Sequence, residues 1–208
     1  GGCHNVNFVT PTHFLPWILR SIRIAAAKGL VIPLVYNCSG YELPEIMALL
    51  KNVVDIYLPD MKYGDNDSAK ELSGAGDYVE TNQAAIREMY RQVGSLRIDK
   101  HGIAYRGLCV RHLVLPRGKA GSDRIAQFLQ STYDPTDITI SLMAQYRPLY
   151  RACEYPGMER RISLQEYEAA RACFEDAGFG GFYQEPTELN EKFVIDFTTR
   201  KDQALTGE

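Results

Sequence analysis

An acid and a base stand two positions apart at the end of an almost continuously apolar run: residues 53–58 (Val-Val-Asp-Ile-Tyr-Leu) lead through Pro59 to Asp60, Met61 and Lys62. A strand of a parallel sheet covered on both faces loses polar alternation, which suits this run. Side chains alternate with period two, so Asp60 and Lys62 project to one side if the chain stays extended. Two chemistries fit such a pair. Lys62 beside an acid can form a Schiff base with a carbonyl compound, or its ammonium can hold an anionic ligand while Asp60 offsets the charge. A second cation, Arg111, interrupts the apolar run of residues 108–115. A guanidinium inside such a strand must reach an anion, water, or a structural partner such as Asp60. Further polar clusters close other apolar runs: Thr10-Pro11-Thr12-His13, Asn37-Cys38-Ser39-Gly40 and Gln145-Tyr146.

The elements that must carry these residues alternate in type. Residues 5–10 read as a strand stopped by Pro11, and Leu15, Ile18, Leu19 and Ile22 then mark one face of a helix that ends at Gly29. Residues 30–36 form the next strand, a short helix opens at Pro44, and the run at 53–62 follows. A short helix near 67–72, a helix at about 82–92 and a hairpin turning at 99–102 lead to the strand 108–115. A helix at 122–131 and a strand at 137–143 come next, and Ser163 with Glu166 forms a capping box for the last helix, which Gly178 ends. Five strand–helix alternations predict a parallel sheet with right-handed crossovers. Ligands bind such sheets at the C-terminal strand ends, where every polar cluster above lies. The reading divides the chain into a domain of residues 1–178 and a tail of residues 179–208, partly mobile, with one strand-like piece at 193–197.

The bulk composition excludes several classes. With 208 residues, 45% of them hydrophobic, the chain can bury one large core. A formal net charge of -3 leaves no basic footprint for nucleic acid, and no apolar stretch is long enough to span a membrane. The expectation is a soluble, cytoplasmic protein. The five cysteines, at positions 3, 38, 109, 153 and 173, contain no CxxC pair, so local spacing gives no metal ligands. Cys38 and Cys109 read as small buried hydrophobes, His13 as a helix-start residue, and His112 as a packed residue on the strand face opposite Arg111.

The segments GCHNVNFVTPTHF (2–14), IPLVYNCSGYE (32–42), VDIYLPDMKY (54–63), RGLCVRHLVLP (106–116) and LMAQYRPLY (142–150) resemble, in order and spacing, the radical S-adenosylmethionine (radical SAM) proteins related to pyruvate formate-lyase activating enzyme. The resemblance implies an α/β fold, a partial (β/α)6 TIM-like barrel. Its first strand would be missing here, with residues 5–10 standing as an exposed edge at the family's second strand. In the family a CxxxCxxC loop after the first strand holds a [4Fe-4S] cluster whose open iron chelates S-adenosylmethionine (SAM). The present sequence contains no such motif. The implied reading is therefore a C-terminal fragment whose cluster ligands lie outside the chain.

Carried over by position, Thr10, Pro11 and Thr12 stand where the family's Gly-Gly-Glu turn meets the SAM amino group. Asn37 and Ser39 fall near the ribose, Asp60 and Lys62 beside the methionyl group, Arg111 near its carboxylate, and Gln145 by the adenosine. No residue is assigned to catalysis and none to metal. An intact protein of this kind would cleave SAM reductively to a 5′-deoxyadenosyl radical that abstracts hydrogen. Its partners would be a glycyl radical enzyme or another protein or peptide substrate, and a reductant such as flavodoxin or ferredoxin. Two other readings of the same residues stay open: a barrel lyase or aldolase using Lys62 as a Schiff base, and a degenerate binding module without catalysis.

Overall fold

The computed structural model describes residues 2–185. The apolar runs form a sheet of six parallel strands, β1 (Val6–Val9), β2 (Leu34–Cys38), β3 (Ile56–Pro59), β5 (Ala104–Leu113), β6 (Thr139–Met143) and β7 (Gly180–Tyr183). They pair in that order, and the two-residue β4 (Arg97–Ile98) joins β5 antiparallel. The crossovers are helical: α1 (Leu15–Ala27), α2 (Pro44–Ala48), the pair α3 (Asn66–Ser73) and α4 (Tyr78–Val93), α5 (Ser122–Thr132) and α6 (Leu164–Asp176). This is the layered βα architecture that the alternation predicts.

Period-two alternation divides each strand between two environments. Tyr36, Cys38, Tyr57, Leu108, Val110, Ile140 and Leu142 are buried in the core shared with the helices. Asn37, Leu58, Cys109, Arg111 and Ser141 line the concave side. Helix α6 begins with the expected reciprocal cap, in which Ser163 accepts from the Glu166 amide and Glu166 accepts from the Ser163 amide. Helix α1 is less enclosed, since only Leu15 is fully buried while Phe14 and Trp17 beside it stand in solvent.

Three boundaries differ from the sequence reading. The run at 53–62 enters the sheet only at Ile56, because Asn52 and Val53 turn the chain and the Asp55 carboxylate accepts from the Leu34 amide at 2.9 Å. Helix α4 begins four residues earlier than Asn82, at Tyr78. The limit at residue 178 is also corrected, since β7 lies beyond it and pairs with β6 over four residues, from Thr139 with Gly180 to Leu142 with Tyr183. The strand-like piece at 193–197 lies outside the described residues. No helix among those residues is long and apolar enough to cross a membrane.

Candidate functional site at the strand ends

Asp60 forms an isolated parallel bridge with Arg111, and Arg111 in turn pairs with Ser141. Paired positions share a sheet face, so β3, β5 and β6 present these side chains together. Lys62 bonds one oxygen of the Asp60 carboxylate, and Arg111 Nε stands 3.5 Å from the other. The rest of the guanidinium reaches across the sheet, with Nη1 donating to Asn37 Oδ1 at 2.5 Å and Nη2 meeting Met143 Sδ at 3.3 Å. Gln145 Nε2 approaches the same sulfur at 3.7 Å. Arg111 thus couples the ends of β2, β3, β5 and β6. Two cations face one carboxylate, which leaves one positive charge over. Asp60 Oδ1 is buried with no hydrogen-bond partner, because an ion pair at 3.5 Å is too long to serve as one.

Below this group the concave face forms an open cleft of about 550 Å³. Asn37 and Arg111 stand at one end, Leu96, Ile98 and Ile103 around the β4–β5 turn close the other, and the walls between are mainly apolar. A polar mouth over an apolar chamber is the usual form of a small-molecule site.

The strand ends are held from behind by α4. Asn82, which is 1% exposed, donates its side-chain amide to the carbonyls of Gly40 (3.0 Å) and Asp60 (2.9 Å). One turn earlier, the Tyr78 hydroxyl accepts the Lys62 amide at 2.8 Å. The same hydroxyl faces the carbonyls of Ser39 and Asp60, each at 3.3 Å. Two residues of one helix therefore fix the backbone of the β2 and β3 ends. The sequence reading missed both. The signal was present, for Asn82 is a polar residue on the stripe Tyr78, Ala85, Ile86, Met89 and Val93 that α4 buries.

The remaining candidates fall elsewhere. Thr10, in a left-handed conformation (φ 51°), donates its amide to the Asn37 carbonyl at 2.8 Å. Pro11 is buried, and Thr12 Oγ1 meets the Tyr36 hydroxyl at 2.8 Å on the helix side of β2. Ser39 Oγ accepts from the Tyr41 amide at 3.4 Å. Asn37, Asp60, Lys62 and Arg111 are thus one bonded set with Gln145 beside it, whereas the side chains of Thr12 and Ser39 have partners outside that set. The sequence reading also passed over Glu42, a buried acid whose side-chain partners are Thr12 and Cys38. Burial raises its pKa, and those two hydrogen bonds act in the opposite sense.

His112 is fully buried, between the Met61 carbonyl (2.6 Å from Nδ1) and Ser122 Oγ (2.8 Å from Nε2). Burial lowers its pKa to about 4, against the opposing effect of the Met61 carbonyl. Burial also pushes the Cys109 thiol up to about 12 and raises that of Cys38. No three His, Cys, Asp or Glu side chains gather to hold a metal among the described residues. The residues present therefore do not fit an iron–sulfur cluster.

A six-stranded parallel sheet with a charged cluster at its C-terminal strand ends defines this protein as an α/β barrel-type chain, and two solved structures share that fold. A domain of pyruvate-formate lyase-activating enzyme from Bacteroides vulgatus superposes with a TM-score of 0.59 at 14% identity. That match covers 89% of this chain and 100% of the other. A radical SAM methyltransferase from Sphaerobacter thermophilus follows with a TM-score of 0.54 at 13% identity, covering 87% of this chain and 50% of that one. Likeness at such identities shows that the chain shares the fold of these two proteins. An uncharacterized protein of Methanocaldococcus jannaschii is 33% identical over 172 residues, covering 80% of this chain. The chain spans 44% of the length of that relative. No protein-family model matches the chain.

Proposed function

We propose that the strand-end cluster binds SAM by its methionyl head and is the SAM-holding part of a radical SAM enzyme. The observation that carries this reading is the pairing of one surplus positive charge with one carboxylate oxygen, Asp60 Oδ1, that has Arg111 as an ion-pair neighbour but receives no hydrogen bond. A zwitterionic α-amino acid group answers both, since its carboxylate meets Lys62 and Arg111 while its ammonium donates to Asp60. Asn37, already bonded to Arg111, orients the guanidinium and offers its amide to a ribose hydroxyl. Gln145 stands on the adenosine side, as the resemblance implies.

When bound, SAM supplies a sulfonium flanked by electrophilic carbons, and this chain's residues hold, orient and screen it. The described residues offer no ligand set for a cluster. For the whole protein the proposal extends to hydrogen abstraction from a glycyl radical enzyme or another polypeptide. The Schiff-base reading is weaker because the Lys62 nitrogen is committed to Asp60, whereas that chemistry needs a free lone pair.

Calorimetric titration of the chain with SAM and with 5′-methylthioadenosine, which lacks the amino acid head, tests the reading. SAM should bind at least about tenfold more tightly, a difference of about 1.4 kcal/mol. Lys62→Ala and Arg111→Ala should each remove most of that advantage. Equal affinity for the two compounds would refute it.

A further inference from the structure

The segments after β3, β5 and β6, with α3 and the start of α4, build a second small core of their own, made of Tyr63, Ala69, Tyr78, Leu115, Ala120 and Met158. Its outer face opens into a pocket of about 300 Å³, separate from the concave chamber. The walls are Tyr63, Leu72, Leu115, Tyr146, Tyr155 and Met158. Tyr63 and Tyr146 directly follow Lys62 and Gln145, so whatever fills this pocket lies beside the strand-end cluster.

The lip of the pocket points to the kind of occupant. It carries Arg147 and Arg151, and among the described residues no carboxylate lines the pocket. Arg151 shares its charge with Glu154 at 2.6 Å, while Arg147 makes no ion pair among the described residues. Beside them Leu149 and Tyr150 belong to the same rim and stand 65% and 93% exposed, two large apolar side chains held mostly in water. A cavity of this size takes one large side chain or ring. A small molecule filling it would leave the apolar lip bare, whereas a chain segment would fill the pocket and cover the lip together.

We propose that this surface docks a polypeptide segment in which a large apolar side chain is flanked by carboxylates. The apolar side chain enters among Tyr63, Tyr146 and Tyr155, the segment lies over Leu149 and Tyr150, and its acids meet Arg147 and Arg151. The docking does not depend on the SAM reading, because it uses none of the residues that would hold SAM.

The test is fluorescence anisotropy of three labelled dodecapeptides of equal length, titrated with the full chain in the absence of SAM. One carries a central Phe flanked by Glu residues, one the same Phe flanked by Lys, and one Ala in place of Phe between Glu residues. Only the first should bind saturably, and raising the salt should weaken it. Arg147→Ala and the exposed-lip double variant Leu149→Ser/Tyr150→Ser should each reduce its affinity at least about fivefold, while circular dichroism shows an unchanged fold. Equal binding of all three peptides, binding of none, or unchanged affinity in the lip variants would overturn the proposal. A chain that binds this peptide but not SAM would refute only the strand-end reading.

Discussion

Gly40, at the end of β2, lies directly against the carbonyl of Asp60 at the end of β3. A side chain at position 40 would overlap that carbonyl oxygen and the amide of Asn82. Its φ of +72° adds a left-handed conformation that side chains resist. The close approach is what lets one asparagine bond both carbonyls.

Gly40→Ala is therefore expected to cost about 2–4 kcal/mol, by adding overpacking to an unfavourable backbone conformation. Urea unfolding measures it. SAM affinity should fall in the same variant, because the displaced group is Asp60 itself. A stability change within about 0.5 kcal/mol would show that the two strand ends can separate freely.

Asn82→Ala removes the donor shared by the Gly40 and Asp60 carbonyls; the Asp60 carbonyl keeps the Tyr78 hydroxyl at 3.3 Å, while the Gly40 carbonyl loses its side-chain donor at a cost of about 1–3 kcal/mol. Asn82→Asp keeps the shape but turns an acceptor toward two acceptors. It should unfold at lower urea than the alanine variant. The opposite order would mean that Asn82 acts through volume and not through its amide.

His112 makes stability depend on pH in a defined window. Its folded pKa, about 4, lies below the ordinary value of 6.5, so the unfolded chain binds more protons between those values. The contribution is fully present above pH 6.5 and is lost as the pH falls toward 4, amounting to a change on the order of 3 kcal/mol. Unfolding free energies at pH 7, 5 and 4 should fall more steeply for the native chain than for His112→Gln. Parallel profiles would remove His112 as the cause.

Much of this arrangement is legible in the residues. The apolar runs ending in polar clusters announce β2, β3, β5 and β6, and period two already places Asp60 and Lys62 on one side. Strand β7 escaped because the sequence reading places residues 179–208 in a tail, and Gly180 and Gly181 lack the side chains that mark a strand. The structure shows why they are there: a side chain at Gly181 would overlap the backbone of Ile140, so the strand closes on β6 only through glycine. Asn82 and Tyr78 escaped for another reason. Their function is to grip main-chain atoms of distant loops, and no local spacing records which carbonyls a helix will meet.

The sheet order β1-β2-β3-β5-β6-β7 also bears on how the chain folds. Every parallel pairing joins a strand to the one made before it, apart from the short β4. Each new strand thus finds its partner already in place, one crossover away, and none waits for a segment still to be synthesised. The sheet can therefore grow strand by strand as the chain emerges. The charged cluster belongs to the later steps of that growth, since Arg111, which ties four strand ends together, arrives only after β2 and β3 have offered Asn37 and Asp60.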